Sequence, residues 1–161
     1  MLWTLAARDL LFVGVTLGVW RLDAAVRGGD GALPVVLGLA AGVLATIAGY
    51  LAHEWGHLSA ALAGRSVVHL PERVASVFLF NYDISRNDRR QFLLMSCGGF
   101  VASALVIALF LLVLPLDTLA GRVTLALTLL GVAATFILEI PPAWRVYRGG
   151  SMPTGVAYRS D

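Results

Sequence analysis

Residues 32–64 form an apolar stretch of 33 residues whose only acidic, basic or imidazole side chains are His53, Glu54 and His57. A helix needs about 20 apolar residues to cross the hydrocarbon core of a bilayer. This stretch therefore either tilts and protrudes, or its last turns line a protein-walled cavity. Pro34 suits its start. Three further apolar stretches run over about 2–20, 92–114 and 123–140, the last two closed by Pro115 and by Pro141–Pro142. Hydrophobic residues are 58% of the chain and charged residues 14%. That balance excludes an ordinary soluble globule, a disordered chain and a nucleic-acid-binding module. The expectation is an all-α integral membrane protein, one membrane domain over 1–161, with about four transmembrane helices.

The first stretch contains the pair Arg8–Asp9. Trp3 and Trp20 stand about 25 Å apart on a helix and suit two interfacial anchors. A signal peptide fits less well, because the positive charge lies inside the stretch and no small-x-small cleavage site follows. An interfacial helix is the other alternative. Arginine is the only cationic residue besides histidine, since the chain has no lysine. With four spans, nine arginines (8, 65, 73, 86, 89, 90, 145, 148 and 159) fall on one side and three (21, 27 and 122) on the other. The positive-inside rule then puts both termini in the cytoplasm, in a bacterial inner membrane. The inner loop, 65–91, holds Val67–Leu70 and Ser76–Tyr82, which read as the two strands of a short hairpin. Lipid cannot satisfy an open strand, so the hairpin belongs at the interface or against protein.

His53-Glu54-Trp55-Gly56-His57 is an H-E-x-x-H motif. Histidines four apart face one side of a helix and can bind one metal ion. Zn2+ suits two imidazoles and a carboxylate with one open position, and it brings the pKa of its water to about 7. Glu54 stands beside them, placed to take a proton from that water. The alternative is a partly solvated motif near the headgroups, since His57 lies about 12 Å along the helix from Arg65. Three ionisable groups within five apolar-helix residues are costly in lipid and point to function. Gly42, Gly49 and Gly56, with Ala41, Ala45, Ala48 and Ala52, read as a surface for close helix packing. Cys97, the single cysteine, excludes a disulfide framework and reads as a small packing residue. Trp144 and Tyr147 read as interfacial aromatics.

The segment from His53 to Val67, HEWGHLSAALAGRSV, resembles the signature of the site-2 protease family of intramembrane zinc metalloproteases. The resemblance continues loosely in Ser96–Ala102, at the place of the family's A-G-P-x-x-N, and in Ile137–Trp144, at the place of its N-x-x-P-x-P-x-x-D-G. It covers about residues 40–148 and implies a zinc site on a transmembrane helix near its cytosolic end. The chain departs from the family where the third zinc ligand, an Asp, falls on Trp144. The Asn of that motif falls on Phe136, and the Pro and Asn of the middle motif fall on Gly99 and Ala102.

A replacement ligand is needed for a firm site. Glu139, at the end of the fourth stretch, is one candidate; its alternative is a solvated helix-end acid paired with Arg145 or Arg148. His69, in the first strand, and Asp83, in a turn, are others, each with a plain surface reading. The resemblance implies an intramembrane zinc metallopeptidase that cleaves transmembrane or juxtamembrane segments of a membrane protein substrate. The alternatives are a catalytically inactive, protease-like subunit of a larger membrane complex, and a tetrapyrrole-ligating subunit using His53 or His57.

Overall fold

The computed structural model covers residues 1–76, 78–155 and 157–159, for Arg159 the backbone only. Four long helices dominate it: α1 (Leu2–Val26), α2 (Leu33–Ala63), α3 (Arg89–Val113) and α4 (Leu119–Tyr147). Each is long and apolar enough to cross a bilayer. Their outward faces carry exposed Leu10, Leu105, Leu112, Leu130 and Leu138. Such a surface is stable in lipid and not in water. The chain is a multi-pass, all-α membrane protein.

Helix α2 is the centre of the bundle and packs against each of the other three. Its glycines explain why. A Cβ on Gly42 would come within 2.6 Å of Val123 on α4, and one on Gly49 within 3.0 Å of Val106 on α3. At Gly56 the backbones of α2 and α3 meet: Gly56 and Gly98 face each other with no space for a side chain on either. Small residues permit this approach, which brings α3's carbonyl groups into reach of side chains on α2.

The helix ends differ from the expected ones for local reasons. Asp88 and Gln91 form a reciprocal capping box, with Gln91 N donating to Asp88 at 2.8 Å, so α3 starts at Arg89 and not at Phe92. Thr118 caps α4 through Gly121 N at 3.1 Å, which starts that helix at Leu119. Helix α1 runs to Val26, beyond the expected end at about 20, and there buried Asp23 pairs with Arg27 at 2.7 Å.

The largest correction concerns Pro141–Pro142. They do not close the fourth span; α4 runs through them to Tyr147. Two prolines remove two helix hydrogen bonds, at the carbonyls of Ile137 and Leu138. Membrane helices tolerate this where neighbours compensate. Here the last turn is anchored, because Val146 is fully buried in the core formed by Leu5, Leu58, Ala61, Leu79, Phe80, Tyr82, Phe92 and Met95, and Ala143 packs against it. Glu139 therefore sits inside α4 and not at its end.

The expected hairpin is also changed. Strand β1 is Val68–His69, but β2 is Asn81–Asp83, so the described residues of Ser76–Tyr82 before Asn81 are not strand; Val77 lies outside the described residues. Leu79 and Phe80 go instead into the core. A third strand, β3 (Tyr158–Arg159), pairs parallel to β2, which leaves β2 in the middle of the sheet. Asp83 is not a solvated turn residue. Its carboxylate is fully buried, 3.0 Å from His69 Nε2, and it accepts from Ser85 Oγ at 2.7 Å and from the N–H groups of Ser85 and Arg86 at 3.0 Å each. That turn ends β2.

The hydrogen bonds from His69 and Ser85 hold the Asp83 carboxyl at about 2, below its ordinary 3.8. A lowered folded-state pKa adds stability that is complete above the ordinary value and lost as pH falls through the folded one. We expect thermal unfolding in detergent, followed by tryptophan fluorescence, to lose stability between about pH 4 and pH 2. Asp83→Asn should already be less stable at pH 6 and should lose less across that window.

Candidate metal centre

His53 and His57 project from one face of α2 and are both buried, at 3% and 8% exposure. Their rings meet edge to face, with centroids 4.4 Å apart. Helix α3 fixes both from behind. His57 Nδ1 lies 2.9 Å from the Met95 carbonyl, and His53 Nδ1 lies 3.0 Å from the Gly99 carbonyl and 2.9 Å from Ser103 Oγ. A carbonyl only accepts, so each Nδ1 must carry the proton and donate it. Each Nε2 of the neutral ring is then a bare lone pair.

The two lone pairs point at each other and at Glu139. Nε2 to Nε2 is 3.0 Å, His53 Nε2 to Glu139 Oε1 is 3.4 Å, and His57 Nε2 to Glu139 Oε2 is 3.2 Å. All three groups lie within 4.8 Å of one another and form a ligand set able to hold a metal ion. Three acceptors this close require positive charge between them. A proton can join two of them; a metal ion can bond all three. The donor set also fits in size, since ligand atoms at 2.0–2.1 Å around a tetrahedral ion stand about 3.3 Å apart.

Of the candidate third ligands, the structure therefore brings Glu139 to the histidines, where it pairs with imidazole and not with Arg145 or Arg148. His69 and Asp83 pair with each other in the sheet, outside this group. Trp144 is exposed and stacks on Tyr147 at 5.5 Å. Cys97 is exposed.

Glu54 is half-buried beside the ligands. It lines, with His57 and Glu139, a cavity of about 200 Å³ walled by Phe78, Phe80, Phe92 and Tyr158. Burial pushes the Tyr158 hydroxyl above its ordinary pKa, and the nearby Glu139 carboxylate adds to the effect. The Tyr50 ring, one helical turn before Glu54, stacks near the His53 ring with centroids 6.2 Å apart. Trp55 points the opposite way, to α1, and donates to Asp9 at 2.8 Å; Arg8 closes the same group at 2.7 Å and reaches the Val74 carbonyl at 2.6 Å. The Arg8–Asp9 pair thus ties α1, α2 and the inner loop together.

Met95, Gly99, Ser103 and Tyr50 were not foreseen as parts of the site. The spacing 95, 99, 103 places three of them on one face of α3, a pattern present in the sequence but without chemical character of its own. Gly99 has a steric role besides: a Cβ there would strike the His57 ring.

Compared with known proteins, the chain matches no family model, no curated protein sequence and no solved structure.

Removing a hydrogen-bond partner of a ligating histidine ordinarily weakens metal affinity about 10–100-fold. Ser103→Ala should fall at the low end of that range, because the Gly99 carbonyl remains. Gly99→Ala should do more, by displacing the His57 ring. Titration of zinc against a chromogenic chelator measures both; equal affinity in wild type and Gly99→Ala would contradict the geometry.

Proposed function

We propose that the protein is an intramembrane zinc metallopeptidase that cleaves transmembrane or juxtamembrane segments of other membrane proteins. The observation that carries this reading is the convergence of two Nδ1-anchored histidines and Glu139, with Glu54 on the same cavity wall. Two imidazoles and one carboxylate are the ligand set of catalytic zinc sites that keep a position open. Zinc held there would make hydroxide available near neutral pH and polarise a carbonyl.

The chain's own residues divide the remaining work. His53, His57 and Glu139 hold the ion, and α3 holds the histidines. Glu54 takes a proton from the attacking water and returns it to the leaving amine. The phenylalanine walls restrict water and accept apolar side chains of a locally unwound substrate. The short sheet beside the cavity offers backbone groups to an extended segment.

Glu139 supplies the carboxylate that Trp144 does not, which favours this reading over a catalytically inactive subunit. A tetrapyrrole fits poorly, because each Nε2 faces another ligand within 3.4 Å and no open face remains for a macrocycle. The sheet, the tail paired to it and the Arg8 contact with the inner loop lie at one end of the bundle. That arrangement supports both termini on one side; the arginine count assigns that side to the cytoplasm.

Glu54→Gln should retain about one zinc per chain and lose cleavage of a reporter membrane substrate by about 10²-fold or more. His53→Ala and Glu139→Ala should lose both metal and cleavage. Elemental mass spectrometry beside a gel-based cleavage assay separates the two effects. Undiminished cleavage by Glu54→Gln would remove the mechanism.

A further inference from the structure

Strand β2 has two edges, and both are in use. β1 lies along one, antiparallel, with Val68 opposite Tyr82. The other is taken by the chain's own tail: β3 runs parallel, with Tyr82 opposite Tyr158 and Asp83 opposite Arg159, and Tyr82 N donates to the Ala157 carbonyl at 3.0 Å. This second edge belongs to the candidate site. Ala157 and Tyr158 line the same cavity as Glu54, His57 and Glu139. The Tyr158 ring fills space against Phe92, with centroids 6.2 Å apart.

The tail joins the sheet through a short strand reached by an irregular segment. The described residues between Arg148 and Tyr158 belong to no helix or strand, and Gly149 and Gly155 hold left-handed φ angles of 98° and 152°. β3 itself is two residues long. The fully buried core around Leu79, Tyr82 and Phe92 is built by helices and the inner loop, with Met152 and Tyr158 packed onto its margin. Removing β3 from β2 would take away none of the fully buried core residues. It would expose one strand edge directly beside the ligand set.

We propose that residues 157–159 are an intramolecular occupant of the cavity-side edge of β2, which keeps the site closed until an extended peptide displaces them. The proposal rests on the metallopeptidase reading for its consequence, and on the sheet geometry alone for the binding event. The displacing segment is defined by what it must replace. It lies extended and parallel to β2, makes the same backbone hydrogen bonds, and places an aromatic side chain in the seat of Tyr158. Its following peptide groups then run along the wall that carries His57 and Glu139.

The test is binding of a fluorescein-labelled peptide with the sequence of residues 154–160, followed by anisotropy in detergent against the full-length protein. The wild type should bind it weakly. Tyr158→Ala should bind it at least about tenfold more tightly, the effect expected from freeing one or two backbone hydrogen bonds. Tyr158→Phe should behave as wild type, and a peptide with its tyrosine changed to alanine should lose the gain. Arg159→Pro, which removes a backbone N–H from the ladder while sparing the Tyr158 seat, gives the same readout should Tyr158→Ala fail to fold. Equal affinity for the wild type and a released variant, or binding to neither, would overturn the proposal. Because binding is read without turnover, the two ideas fail separately. Peptide capture by Tyr158→Ala without cleavage by any variant would leave the tail as occupant and remove the peptidase. Cleavage that Tyr158→Ala does not raise, with no gain in binding, would leave the peptidase and remove the occupant.

Discussion

Two buried imidazole lone pairs and a carboxylate meet within 4.8 Å, and much of the bundle follows from that requirement. The arrangement exists only because the outer nitrogen of each ring is anchored. The anchors are backbone carbonyls of a neighbouring helix, at Met95 and Gly99. A helix interior offers such carbonyls only where another helix can come close, since each already accepts one bond within its own helix. The contact of Gly56 with Gly98 provides that approach. The glycine seam and the His53–His57–Glu139 group are thus one construction: the first sets the distance between α2 and α3, and the second uses it.

The fourth helix enters on different terms. Its carboxylate must reach the histidines from a span interrupted by Pro141–Pro142. The freed carbonyls of Ile137 and Leu138 immediately precede Glu139 in sequence, so the helix is weakest in its own hydrogen bonding where it carries that carboxylate. Burial of Val146 beyond the prolines compensates, by fixing the last turn to the core that also holds the inner loop. Helix α4 is therefore held on both sides of Glu139, and the position of the carboxylate does not depend on the continuity of the helix ladder.

How much of this was readable beforehand varies with the range of the interaction. The four spans were legible because apolar length is a local property. His53 and His57 were legible because a spacing of four puts two side chains on one helix face. Glu139 could be named as an acid in an apolar stretch, but choosing it over His69 and Asp83 required knowing that α4 passes through two prolines. That depends on the burial of Val146, a tertiary fact. The second strand was misplaced by a related effect. Alternating Val77, Leu79, with Phe78 and Phe80, has strand composition, yet Leu79 and Phe80 are needed in the core. The ladder forms instead at Asn81–Asp83, where Asn81 and Asp83 have poor strand propensity, because Asp83 closes the following turn with its own carboxylate. Strand β3 left no sequence signal at all, being two residues long.

Asp9 and Asp23, which are buried, and Glu139, which is half-buried, meet different partners within the spans. Asp9 has Arg8 at 2.7 Å and the Trp55 indole at 2.8 Å; Asp23 has Arg27 at 2.7 Å. Each is matched by a guanidinium that cannot lose its proton, so each is a permanent pair and asks for nothing more. Glu139 is matched only by two imidazoles whose protons are already committed to α3. Its neutralising charge does not come from an arginine, and the two rings can supply it only by taking up a further proton between them. The bundle places arginines against Asp9 and Asp23 and leaves Glu139 facing two lone pairs, a group able to hold a metal ion.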